Sequence, residues 1–150
     1  MEDIYIGTPN AKQDEFLRCK KKYVAFGGAR GGGKSWAVRC KAKLLAQRYP
    51  GIRMLLVRRT MPEIEANHLE TLRLELAGTA VYRAEERRFV FGNGSVLQFG
   101  YCACDRDADR YQGAEYDVIF FDEATQLKEQ WMRKLAACVR GVNEFPKRIY

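Results

Sequence analysis

Eight residues constrain this chain more than any others: Gly28-Ala29-Arg30-Gly31-Gly32-Gly33-Lys34-Ser35 satisfies the pattern G-x-x-x-x-G-K-[ST] at every fixed position. The run before it, Tyr23-Val24-Ala25-Phe26, is short, apolar and ends in glycine, which reads as a buried strand. The residues after it place Ala37, Cys40, Leu44 and Leu45 on one helical face until Pro50-Gly51 stops the helix. A strand, a glycine-rich turn and a helix in that order make an anion cradle. The glycines let backbone N–H groups point inward with no Cβ in the way, and the helix N-terminus adds its dipole. Lys34 is expected to reach the β- and γ-phosphates of a bound ATP, and the Ser35 hydroxyl to bind Mg²⁺. A glycine-rich turn that merely precedes Lys-Ser is the alternative, and the flanking strand and helix argue against it.

The second signal is acidic. Val118-Ile119-Phe120-Phe121 is an apolar run that ends in Asp122-Glu123. A buried strand ending this way can deliver one carboxylate to Mg²⁺ and leave the next to polarise an attacking water as general base. Without a cation, two carboxylates at a buried strand end repel each other and lose hydration. The other reading is a solvated strand end. The tandem favours water over a small acceptor as the nucleophile, so a hydrolase is expected rather than a kinase.

Between these motifs strands and helices alternate. Ile52 to Val57 reads as a second buried strand. Thr60-Met61-Pro62-Glu63 has the pattern of a capping box, ahead of a helix with Leu69, Leu72 and Leu76 in one stripe that ends at Gly78. Phe89-Val90-Phe91 and Val96 to Phe99 flank Gly92-Asn93-Gly94, a hairpin signal read as an antiparallel insert or edge. Leu127, Trp131, Leu135 and Cys138 mark a helix ending at Gly141, and Arg148-Ile149-Tyr150 reads as the first step of a strand. The expected fold is α/β: a mostly parallel sheet with helices on both faces and a small β-hairpin insert.

The chain has 150 residues, enough for one domain with a real core. No apolar stretch approaches the roughly 20 residues that cross a bilayer, and Met1-Glu2-Asp3-Ile4-Tyr5 lacks the basic and apolar regions of a signal peptide, so a cytoplasmic protein is expected. The five cysteines are odd in number and scattered, Cys102-x-Cys104 being the one close pair; reduced thiols fit them and a metal site is unsupported. The net charge of +7 favours a polyanionic partner but is weak support taken alone.

Further residues carry two readings each. Arg30 can reach a γ-phosphate or pair with a carboxylate. Arg106 and Arg110, in the polar stretch before the acidic strand, can act across a subunit boundary as arginine fingers or form a solvated charged loop. Arg58-Arg59-Thr60 can couple nucleotide state to DNA contacts or simply start a helix. His68 reads as a surface helix residue with no role. Gln13, by itself, is a polar residue near the N-terminus.

At this point the motifs meet a known family. Gln13 through Ser35, with arginine inside the loop, resembles the start of the ATPase domain of the large terminase subunit of tailed bacteriophages and prophages. Tyr111-Gln112-Gly113-Ala114-Glu115-Tyr116-Asp117-Val118-Ile119-Phe120-Phe121-Asp122-Glu123-Ala124 looks like that family's approach to its acidic motif. The resemblance implies a P-loop NTPase of the ASCE/RecA-like type that uses ATP and Mg²⁺ to pump double-stranded DNA into a procapsid. It implies a homo-oligomeric ring in the host cytoplasm, with portal and small-subunit partners and no membrane. By similarity Gln13 would contact adenine, Gly28 to Ser35 would hold the phosphates, and Arg30 would stabilise the γ-phosphate. Asp122 and Ser35 would serve Mg²⁺, and Glu123 would be the base. The family's nuclease domain is absent, so no DNA cutting is expected of this chain. The chain also stops before the strand that normally follows the acidic motif is complete, so an N-terminal portion is expected, with nucleotide binding weakened and hydrolysis slow or lost. A helicase or recombination ATPase of the same broad fold, or a non-catalytic remnant, are the alternatives.

Overall fold

Two runs of consecutive apolar residues lie side by side at the centre of one sheet. The computed structural model describes residues 10–19, 34–140 and 145–150. In chain order the elements are α1 (Ala11–Arg18), α2 (Lys34–Arg48), β1 (Arg53–Arg58), α3 (Met61–Ile64), a π-helical turn (Glu65–Leu69), α4 (Glu70–Glu75), β2 (Ala80–Arg83), β3 (Arg88–Phe91), β4 (Val96–Tyr101), α5 (Asp105–Asp109), β5 (Val118–Phe121), a 3₁₀ turn (Ala124–Gln126), α6 (Glu129–Ala136) and β6 (Arg148–Ile149). The six strands lie in the order β2-β3-β4-β1-β5-β6. β4, β1, β5 and β6 are parallel, while β2, β3 and β4 are joined antiparallel. The strand expected at Tyr23 to Phe26 lies outside the described residues.

The parallel strands read as unbroken apolar runs because both of their faces are covered. Met54, Leu56, Phe99, Val118 and Phe120 join a core with residues of α1, α2 and α4. Leu55, Val57 and Ile119 point the other way, into a core with Leu127, Trp131, Leu135 and Cys138. Each fully buried side chain of this size stabilises the fold by about 1.5–3 kcal/mol. The register Leu55↔Ile119 and Leu56↔Phe120 keeps the two faces separate across β1 and β5.

Polar side chains fix the edges. Asp117, fully buried at the start of β5, accepts the Arg53 backbone N–H at 2.9 Å and lies 2.9 Å from Lys147 Nζ, which pins the starts of β1, β5 and β6 together. Lys41 on α2 donates to the Leu17 and Cys19 carbonyls, satisfying the end of α1. The hairpin loop spans Gly92 to Gly94: the Gly94 N–H donates to the Phe91 carbonyl at 3.0 Å, and Gly94 itself takes the left-handed φ of +88. Asn93 Nδ2 and the buried Ser95 hydroxyl both donate to the Ala46 carbonyl, so the turn also closes the end of α2.

The expected antiparallel hairpin is present as β3 and β4, and β4 is also the parallel neighbour of β1. Elsewhere the structure departs from expectation. A strand the sequence does not signal, β2, extends the sheet beyond β3. Thr60 is the N-cap of α3 but makes no side-chain cap bond, so the capping box is absent. Glu63 instead turns toward Arg58, 3.8 Å away. A capping box does form elsewhere, in a helix outside the sequence expectation: Asn10 and Gln13 exchange side-chain and backbone bonds at 2.9 Å at the start of α1.

Candidate functional site

The site begins where β5 runs out of apolar residues. The Asp122 backbone N–H still donates to the Val57 carbonyl at 3.0 Å, so sheet pairing persists one residue past the strand and holds a buried carboxylate at its end. Glu123 then turns the chain abruptly, with φ 55 and ψ 50. A left-handed conformation costs a non-glycine residue on the order of 1–3 kcal/mol and persists where the surroundings enforce it. Its consequence is that the Glu123 carboxylate points back toward β1.

There it meets Arg58, the last residue of β1 and nearly buried. The guanidinium has three carboxylates around it: Asp122 at 3.6 Å, Glu123 at 3.8 Å and Glu63 at 3.8 Å. None is at hydrogen-bonding distance. Nε and Nη1 of Arg58 and Oε2 of Glu63 are buried with no hydrogen-bond partner. Such orphaned polar atoms are costly in a folded protein and mark a place where a further polar group fits.

His68 contacts Asp122 from the opposite side. It is fully buried, not on the surface as expected, and its Nε2 lies 2.6 Å from Asp122 Oδ2. Its Nδ1 lies 3.4 Å from Nη1 of Arg39, which also donates to the Asn67 carbonyl at 2.5 Å. An ionised carboxylate only accepts and a guanidinium only donates, so these neighbours select the neutral ring with hydrogen on Nε2. Burial pushes the Asp122 carboxyl up, but the His68 hydrogen bond, with the Arg58 guanidinium nearby, outweighs this and holds it below its ordinary value. The sequence does carry a signal for His68: it lies four residues after Ile64 and four before Leu72, both fully buried.

Lys34 and Ser35 are the first residues of α2, both partly exposed. Ser35 lies one turn before Arg39, so the two share a helix face. Arg39 therefore ties the face that carries Ser35 to His68 and through it to Asp122. Gln13 is buried, and its side-chain oxygen accepts the Asn10 N–H. Arg106 is exposed on α5. Arg110, just after that helix, donates to the Tyr101 hydroxyl at 2.9 Å and lies 3.5 Å from Asp107. Gly28, Ala29, Arg30, Gly31, Gly32 and Gly33 lie outside the described residues.

The donor set fits Mg²⁺. Three carboxylates, Glu63, Asp122 and Glu123, stand around the Arg58 guanidinium. Hard carboxylate oxygens are what this ion prefers, and it takes one or two of them, completing its shell with phosphate oxygens and water. Among the described residues no group of three or more His, Cys, Asp or Glu side chains could hold a metal ion. Nor is any helix among them long and apolar enough to cross a membrane.

Residues 25–138 match the family described as terminase large subunit, T4likevirus-type, N-terminal. The chain belongs to this family. The match spans both β1 and the acidic strand β5. No curated protein sequence matches it. Among solved structures, the large terminase from a thermophilic bacteriophage in complex with ADP superposes with a TM-score of 0.68 at 17% identity, over 93% of this chain and 37% of that one. The same phage's enzyme in complex with ATP-γ-S gives 0.68 at 14% identity, over 93% and 36%. The large terminase ATPase domain of Thermus phage P74-26 gives 0.70 at 17% identity, over 95% and 64%. These likenesses establish a shared fold, and the chain spans little more than a third of the length of the two nucleotide-bound proteins.

Proposed function

We propose that this chain is the nucleotide-binding portion of a terminase large subunit, which binds ATP with Mg²⁺ and hydrolyses it to drive double-stranded DNA into a viral procapsid. The observation that carries this reading is the meeting of Asp122, Glu123 and Arg58 at the ends of two adjacent parallel strands, linked through His68 and Arg39 to the second turn of α2. Membership of the terminase family supports the packaging role. The ADP and ATP-γ-S complexes of the thermophilic phage's enzyme support the nucleotide.

On this reading the backbone of Gly28 to Gly33, with Ala29 between the glycines, wraps the phosphates, and Lys34 neutralises them. Ser35 and Asp122 hold the magnesium, which when bound offsets the charge of the β- and γ-phosphates. Glu123, aimed by its left-handed backbone, accepts the proton of the attacking water. Arg30 stabilises charge on the departing γ-phosphoryl group. Gln13, its side-chain oxygen held by Asn10, meets adenine as a donor. In a homo-oligomeric ring the exposed Arg106 serves as the finger offered to a neighbour, with Arg110 the second candidate. The net charge of +7 suits a DNA partner. Portal and small-subunit contacts, in the host cytoplasm and at the procapsid, complete the assignment.

Phosphate release tests it. The wild-type chain with Mg²⁺ and DNA is expected to release phosphate from ATP, and Lys34→Ala and Glu123→Gln each to lower the rate by about a hundredfold or more. Release that persists undiminished in both variants would overturn the assignment.

A further inference from the structure

The sequence holds one histidine, and the fold buries it completely against the acidic pair. Burying an imidazole is unfavourable unless both ring nitrogens find partners. Here they do, and the partners are Asp122 at 2.6 Å and Arg39 at 3.4 Å. His68 lies in the π-helical turn Glu65–Leu69 between α3 and α4. Such turns are rare, and they recur at functional sites. The continuation of the turn is anchored: Leu72 and Leu76 are fully buried, and Lys43 of α2 makes an ion pair with Glu75. The ring thus stands between the helix that opens with Lys34-Ser35 and the strand that ends in Asp122, touching a residue of each.

We propose that His68 is a positioning residue: its Nε2–H fixes the Asp122 carboxylate for the divalent cation, and its Nδ1, facing Arg39, ties that carboxylate to the phosphate-loop helix. This rests on the proposed nucleotide site. A carboxylate with one oxygen held by a buried donor has one rotamer instead of several, and the held oxygen leaves the other to face the cation. Partners of this kind, one bond back from a metal ligand, commonly govern metal affinity by tenfold to a hundredfold. The role belongs to the ring's hydrogen bonds and not to its bulk.

Because the chain has a single histidine, nitrogen-15 labelling of histidine gives one imidazole signal pair with no assignment step. The wild-type chain is expected to show the Nε2–H tautomer, with the Nε2 signal moving when Mg²⁺ is added in the presence of ATP-γ-S and not with ATP-γ-S in EDTA. In parallel, the Mg²⁺ concentration for half-maximal ATP-γ-S binding is expected to rise about tenfold or more in His68→Phe, with ATP-γ-S affinity in EDTA unchanged. His68→Gln, which restores an N–H donor, is expected to recover most of it. An Nδ1–H tautomer in the wild type, or a folded His68→Phe variant with wild-type magnesium dependence, would overturn the proposal while leaving the nucleotide site standing. The wild-type spectrum decides the point even where His68→Phe fails to fold. A wild-type chain that takes up no nucleotide with Mg²⁺ would overturn both.

Discussion

Arg58 Nη2 lies 3.8 Å from Glu123 Oε1, and the same guanidinium lies 3.6 Å from Asp122, so one cation on β1 holds both members of the acidic pair that ends β5. The arrangement follows from pairing: Val57 sits opposite Phe121 in the register, and the next residues along each strand are Arg58 and Asp122. The positive φ of Glu123 brings its side chain back to the same guanidinium instead of letting it follow the chain outward.

Removing that cation leaves carboxylates facing one another at the edge of the core. Arg58→Met keeps most of the stem and removes the charge. It is expected to cost about 3 kcal/mol, the lower end of the range for breaking a buried ion pair, because the contacts are longer than hydrogen bonds. That corresponds to a fall in melting temperature of roughly 6–12 °C for a chain of this size. Thermal unfolding followed by circular dichroism measures it. Mg²⁺ is expected to recover part of the loss, and to raise the melting temperature of the variant more than that of the wild type. A variant that melts with the wild type would contradict the structure here.

Buried thiols give the fold an alkaline limit. Burial, with Asp107 nearby, pushes the Cys102 thiol up from 9.0 to about 11, and burial shifts Cys40 and Cys138 the same way. A raised folded-state value means the fold prefers the protonated thiol. The associated stability is complete below about pH 9 and is lost as pH rises toward about 11. The urea midpoint is expected to fall across that window, and to fall less steeply in Cys102→Ala. Identical slopes would show that the Cys102 thiol titrates normally.

The centre of the fold is legible in the sequence because its strands are continuous apolar runs. Leu55, Leu56, Ile119 and Phe120 suit only a doubly covered sheet, and Asp122-Glu123 suits only the end of one of its strands. What stays hidden depends on distant partners. β2 is a half-buried segment with no turn signal of its own, and it becomes a strand only because β3 is there to pair with. The Thr60 and Glu63 pattern is sufficient for a local cap, yet a nearby buried arginine draws the glutamate away. The polarity of His68 points to the surface while its spacing from Ile64 and Leu72 points inward, and its partner Asp122 is 54 residues further on. The amide of Gln13 suggests a ligand contact, while Asn10, three residues earlier, signals the helix that the same amide helps to cap.

The central claim is that the phosphate loop and the acidic strand share one magnesium-bound triphosphate, and a double-mutant cycle tests it most directly. Affinity for Mg²⁺·ATP-γ-S would be measured for the wild type, Ser35→Ala, Asp122→Asn and the double variant. Groups that hold the same ion are expected to couple by about 0.5–3 kcal/mol, the second substitution costing much less once the first is made. Losses that simply add, from two folded single variants, would mean that Ser35 and Asp122 do not serve a common ion, and would contradict the account.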